Sequence, residues 1–298
     1  MDYMQFMKNL SVPERKVDVV LDTDASCEID DQFAIAYLLR SKEKLNTKAI
    51  YAAPYSENPK DGIEKSYAEI IKLLDLLDEK QDVFKGSDTY LKDEQTPVIS
   101  DAAKDLANRA KKYSPDNPLY VIGIAAITNI ASAMLIAPEI KENIVVVWLG
   151  GHALHYKDTN EFNMCQDVAA ARVVMNSGVP FVQLPCIGVV SGFYISKPEL
   201  DYWLTGKNKL SDYLSKNTVD TAESYAKGKS WSRVIWDVTA VAWLLNDDER
   251  FMESKIINTH LPTYDNLYSL NDNGHPMRYV YYINRDELMY DLINKLIK

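Results

Sequence analysis

Short apolar runs separated by helical patterns recur along most of this chain, and that alternation restricts its architecture more than any other feature. The runs span 17–21, 49–53, 119–124, 144–149 and 180–184, each bounded by turn-forming or polar residues. Strand-length apolar segments alternating with helices predict βαβ units, hence an α/β fold with an open, mostly parallel sheet flanked by helices. Ile63, Tyr67, Ile70, Ile71, Leu74 and Leu77 lie at helical spacing and predict a helix over 61–78. A second pattern over 167–176 runs into Gly178, the residue type that favours a helix end. The pattern turns mainly helical over 197–246, and an apolar stretch at 278–283 precedes a closing helix from Arg285. Without an internal repeat, low-complexity tract or Gly/Ser linker, residues 1–298 are expected to form a single domain.

Charge and cysteine usage narrow the partners. The 33 Lys and Arg residues against 43 Asp and Glu give a net charge of -10, which argues against nucleic acid or an anionic membrane and favours a small-molecule substrate. Residues 1–16 carry no apolar core of signal-peptide length and no later run reaches a membrane span, so a cytoplasmic protein is expected. Cys27, Cys165 and Cys186 are far apart and lack CxxC spacing. Buried thiols are expected rather than a zinc site or disulfides.

Asp22, Asp24, Asp30 and Asp31 fall within ten residues at the end of the first apolar run. Unpaired buried carboxylates are costly unless a cation or hydrogen bonds satisfy them, so the cluster reads as an ion site with hard oxygen ligands. Helix capping accounts for Asp30 or Asp31 but not for all of them. An EF-hand loop fails, because Cys27 occupies its glycine position and Phe33 its glutamate position. A phosphatase with Asp22 or Asp24 as nucleophile also suits an Asp-x-Asp strand end, but leaves Asp30 and Asp31 idle.

Ligands of open α/β sheets bind beyond the carboxyl ends of the strands. Ile127-Thr128-Asn129-Ile130-Ala131 follows one predicted strand, and Gly150-Gly151-His152 follows another, with Glu161-Phe162-Asn163 beyond it. Taken with the aspartate cluster, the Leu149-Gly150-Gly151 strand end and Trp236-Asp237-Val238-Thr239-Ala240-Val241-Ala242, these segments resemble the nucleoside hydrolase family. These are the calcium-dependent, inosine-uridine preferring N-ribohydrolases. The resemblance spans roughly 17–246 and implies a Rossmann-like open sheet, bound calcium, a ribose pocket and a homodimer or homotetramer.

By position, the resemblance implies that Asp24, Asp31, Asp237 and the main-chain carbonyl of Thr128 hold calcium. Such a shell suits Ca²⁺, which accepts roughly six to eight oxygens in irregular geometry. It further implies sugar contacts from Asp30, Glu161 and Asn163, and a calcium-bound water whose proton Asp24 takes as general base. Trp236 is the main departure: it precedes Asp237 where purine-accepting members carry a histidine that protonates the leaving base. Trp236 is therefore expected to contact substrate by its face or N–H, without supplying that proton. The loop 153–160 is also rearranged, so the family asparagine preceding the Glu-Phe-Asn triplet has no secure counterpart, although Asn160 adjoins the triplet. His152 and His155 in this loop, Tyr225 and Trp231 before Asp237, and Asn58 after the second strand are secondary candidates, with solvation, packing or a turn as the plainer roles. His260 and His275 have no site context. A nonenzymatic sugar or nucleoside sensor would keep the same metal and ribose residues.

Overall fold

A computed structural model describes residues 1–269 and 274–298. The elements in chain order begin with α1 (Tyr3–Asn9), β1 (Val17–Thr23), α2 (Asp30–Leu39), β2 (Leu45–Ala52), α3 (Pro59–Leu77), β3 (Val83–Lys85) and α4 (Asp101–Ala110). The central part contains β4 (Leu119–Ile124), α5 (Thr128–Ile136), β5 (Ile144–Leu149), α6 (Phe162–Gln166), α7 (Val168–Met175) and β6 (Phe181–Leu184). There follow β7 (Tyr194–Ser196), α8 (Lys197–Trp203), α9 (Lys209–Ala226), β8 (Ser232–Val234), α10 (Val238–Trp243), β9 (Met252–Asn258), β10 (Pro276–Ile283) and α11 (Arg285–Leu296).

Eight strands form one sheet in the order β3-β2-β1-β4-β5-β6-β10-β9. All its neighbours pair in parallel except β9, which runs antiparallel along the edge of β10. Alternation along each strand sends side chains to opposite faces. Thus Val145, Val147 and Leu149 of β5 join the core shared with α2 and α9–α11, while Ile144, Val146 and Trp148 join the core under α4, α5 and α7. Every residue of α2 is buried, so this helix lies inside the molecule with its N-terminus at the carboxyl edge of the sheet.

The expected open, mostly parallel α/β sheet is what forms. Absent from the expected elements are α1, β3, the antiparallel edge strand β9 and the β7–β8 ribbon, and β2, expected from Ala49, pairs with β1 from Leu45. The helix expected over 61–78 begins earlier, at Pro59, and ends at Leu77, with Asp78 left-handed at φ 53° as its cap. Gly178 likewise sits at φ +77° beyond α7, a conformation a side chain would strain. Among the described residues, no helix is long and apolar enough to cross a membrane.

Candidate active site

The carboxyl ends of β1, β4, β5 and β6 surround a cavity of about 360 Å³, within the size range of small-molecule sites. Asp24, Asp30, Asp31 and Asp237 line it on the β1 side; Glu161 and Asn163 line it beyond β5, and Trp236 lines it with Asp237. All the site residues expected from sequence except Thr128 therefore line one cavity. Thr128 is the first residue of α5, and its hydroxyl donates to Asp167 at 2.7 Å, tying α5 to the start of α7.

The carboxylates are not helix caps. The N-cap of α2 is Ile29, with no side-chain cap bond, which places Asp30 and Asp31 inside the first turn. Asp237 occupies the N-cap position of α10 and likewise makes no side-chain cap bond. Capping would have consumed these oxygens; instead, ligand oxygens of Asp30, Asp31 and Asp237 lie within 4.8 Å of one another. Asp24 stands within hydrogen-bonding reach of Asp31 and leaves Oδ2 buried without a partner. The Thr23 hydroxyl donates to Asp31.

Burial dominates the electrostatics. It pushes the carboxyls of Asp24, Asp30 and Asp237 well above the usual carboxylate range, and their mutual repulsion adds to it. Asp31 is pushed up to about 7 by burial, moderated by its bonds with Thr23, Asp237 and Asp24. At the rim, Arg233 pairs with Glu28 and opposes the rise at Asp30. Among the described residues, no Lys or Arg lines the cavity itself. An all-oxygen acidic set with an orphaned buried oxygen fits a hard divalent cation, whose charge would remove the repulsion.

Asp22 has a different task. It faces α5, where its Oδ1 accepts from Asn129 Nδ2 at 2.8 Å, and Asn129 Oδ1 in turn accepts from the Ser87 N–H at 2.8 Å. This chain fastens the ends of β1 and β3 to α5. Gly86 is required beside it, because a Cβ there would come within 2.3 Å of the Asn129 amide.

Glu161, which lines the cavity, is also held by main-chain donors. Its Oε1 accepts the Asn163 N–H at 2.9 Å, and its Oε2 accepts those of Gly151 at 2.8 Å and Met164 at 3.0 Å. This carboxylate caps α6 and binds it to the Gly150-Gly151 turn. Asn163 remains available to a ligand through Oδ1, its Nδ2 donating to the Leu149 carbonyl at 3.0 Å.

Cys27, Glu28, Phe162, Cys186 and Ile187 also line the cavity, as do His152 and Asn160. Cys186 and Ile187 follow β6, so the strand-end rule applied to 180–184 would have found them. Burial raises both the Cys27 and Cys186 thiols, leaving them protonated rather than nucleophilic. Cys165 is exposed, against the expectation of buried thiols throughout. His155, Asn58, Tyr225 and Trp231 do not line the cavity: His155 packs near Gly188, Tyr225 bonds Arg233 and Trp231 packs on the core. His260 and His275 do not line it either and bond to main-chain carbonyls.

Fold and site together define an open-sheet α/β protein with an acidic cavity at the strand ends. A family model for the inosine-uridine preferring nucleoside hydrolases matches residues 19–278, and the chain belongs to that family. The pyrimidine-specific ribonucleoside hydrolase RihA of Escherichia coli O1:K1 is 24% identical over 259 residues, 77% of this chain and 80% of its own length. A plant nucleoside hydrolase, PpNRh1, has a similar structure with TM-score 0.76 at 18% identity, covering 94% of this chain and 99% of that one. A purine-preferring ribonucleoside hydrolase from Gardnerella vaginalis gives TM-score 0.74 at 20% identity, covering 94% and 98%. The structural likenesses concern the fold; family membership and the curated relatives support an enzyme that hydrolyses ribonucleosides.

Proposed function

We propose that this protein cleaves the N-glycosidic bond of a ribonucleoside, or a related ribosyl compound, releasing ribose and the free base with calcium as cofactor. The observation that carries this reading is the convergence of four buried, uncapped aspartates at one end of a cavity large enough for a small molecule. Asp24, Asp31 and Asp237 would hold the cation, with the Thr128 carbonyl completing the protein ligands. A bound cation of this class lowers the pKa of a coordinated water and fixes its orientation.

The residues themselves account for the remaining steps. Asp24 would accept the proton of the attacking water, its carboxylate kept ionised by the cation it helps to hold. Asp30 and Asn163 would bind sugar hydroxyls, with Glu161 holding the loop that presents Asn163. A pocket that pairs hydroxyls discriminates against analogues lacking them, so deoxyribosides should be poor substrates. As the glycosidic bond stretches, the surrounding carboxylates stabilise positive charge developing on the sugar. Trp236 can stack or donate through its indole N–H, but has no proton to transfer near neutrality.

The phosphatase alternative is not favoured, because among the described residues no Lys or Arg lines the cavity to receive a phosphate. The relatives' names point to both pyrimidine and purine nucleosides, so the base is a question for assay. A panel of purine and pyrimidine ribonucleosides, with their deoxy counterparts, should yield reducing sugar from one or more of the ribosides and much less from the deoxyribosides. Binding without sugar release would identify a sensor instead, and phosphate release from phosphate esters would restore the phosphatase.

A further inference from the structure

His152 stands in the cavity wall with an unused donor. It follows Gly150 and Gly151 beyond β5, is 5% exposed and lines the cavity. Its Nδ1 accepts a hydrogen bond from the Ile187 N–H at 3.4 Å. A neutral imidazole carries one N–H, so this contact assigns the proton to Nε2. No described residue partners Nε2. This N–H is therefore free to donate to an acceptor on a ligand in the cavity that His152 lines.

The main chain around the ring is fixed from several sides. The His152 carbonyl accepts the Tyr268 hydroxyl at 2.9 Å, and the Ala153 N–H donates to the Ile187 carbonyl at 2.9 Å. Tyr156 meets the imidazole edge-on, with ring centroids 4.8 Å apart. The donor is therefore held in place before any ligand arrives.

Resting on the ribosyl reading above, we propose that His152 Nε2–H donates a hydrogen bond to a hydroxyl of the bound sugar and helps determine specificity for it. Two observations favour the sugar over the departing base. Gly151 is bonded to Glu161, and Leu149 to Asn163, so His152 belongs to the same wall as the residues assigned to sugar binding. Moreover, six of the sixteen lining residues are carboxylates, which accept hydrogen bonds when ionised. Sugar hydroxyls also have lone pairs to satisfy, and among these lining side chains neutral donors are few.

Two substitutions separate this role from a structural one. H152N retains an acceptor near the Nδ1 position for Ile187 but lacks the distal donor; H152Q restores a donor near Nε2. Inosine and nitrophenyl riboside are assayed with wild type and both variants, with inosine affinity measured by calorimetry and folding by thermal melting. The Asn variant should melt like wild type, bind inosine roughly tenfold more weakly, and lose a similar factor in kcat/KM on both substrates, which share the ribose. The Gln variant should recover most of this. Unchanged affinity in the Asn variant would overturn the proposal, as would a loss confined to inosine turnover, which would assign His152 to the leaving base. Binding of inosine by wild type without cleavage would defeat the hydrolase reading while the affinity comparison still decides the role of His152; no riboside binding at all would overturn both.

Discussion

Replacing Asp31 with Asn is expected to stabilise the cation-free protein while removing its stabilisation by calcium. Burial holds the Asp31 carboxyl at about 7, against an ordinary value of 3.8. The folded chain therefore keeps this proton through a pH range in which the unfolded chain has released it, so cation-free stability falls as pH rises from about 3.8 to about 7 and then levels off. At roughly 1.4 kcal/mol per pH unit, ionised Asp31 costs the cation-free fold about 4 kcal/mol above neutrality. Asparagine has nearly the same shape, keeps an acceptor for the Thr23 hydroxyl and relieves repulsion on Asp24 and Asp237. Allowing about 1 kcal/mol for weaker hydrogen bonding, the net gain is roughly 3 kcal/mol, or a rise in Tm of about 6 °C or more. Thermal unfolding in chelator at about pH 8 measures it, and the gap should narrow toward about pH 5. Calcium at a hundred times Kd should then stabilise wild type by about 2.7 kcal/mol and the variant far less. A variant that melts below wild type in chelator, or responds to calcium equally, would refute the reasoning.

Asp24→Asn should retain the fold and most riboside affinity but lose more than about a hundredfold in kcat, the magnitude of general-base removal; near-normal turnover would reassign the base. Wild type should cleave nitrophenyl riboside, which has a good leaving group, much better than inosine, and Trp236→His should narrow that difference. Efficient inosine cleavage by wild type would mean that another residue protonates the base. Glu161→Ala removes the acceptor of three backbone N–H groups and should lower stability by about 2 to 3 kcal/mol in thermal melting. A raised KM with unchanged melting would instead make Glu161 a direct sugar contact.

The sheet was legible where strands are apolar on both faces, as at 119–124 and 144–149, because burial on two sides leaves a continuous hydrophobic run. β9 was not, because an edge strand reading Met-Glu-Ser-Lys-Ile-Ile-Asn is partly solvated and resembles a loop. The β7–β8 ribbon has three residues per strand, too few to show a period. Within the site, the aspartates stood out because acidic side chains rarely gather beside an apolar strand without a purpose. Spacing alone could not distinguish an uncapped Asp237 from a capping Glu161; that difference depends on which backbone N–H groups the fold turns toward each carboxylate. Nor could it separate His152 from His155, three residues apart in the same loop, of which the fold buries one in the cavity wall.

The central claim is tested most directly by measuring bound metal and free-base release on the same preparation, purified without added calcium. One calcium per chain is expected, with ribonucleoside turnover lost on exhaustive chelation and recovered when calcium alone is returned. Full turnover after the metal has gone, or zinc in place of calcium, would contradict it.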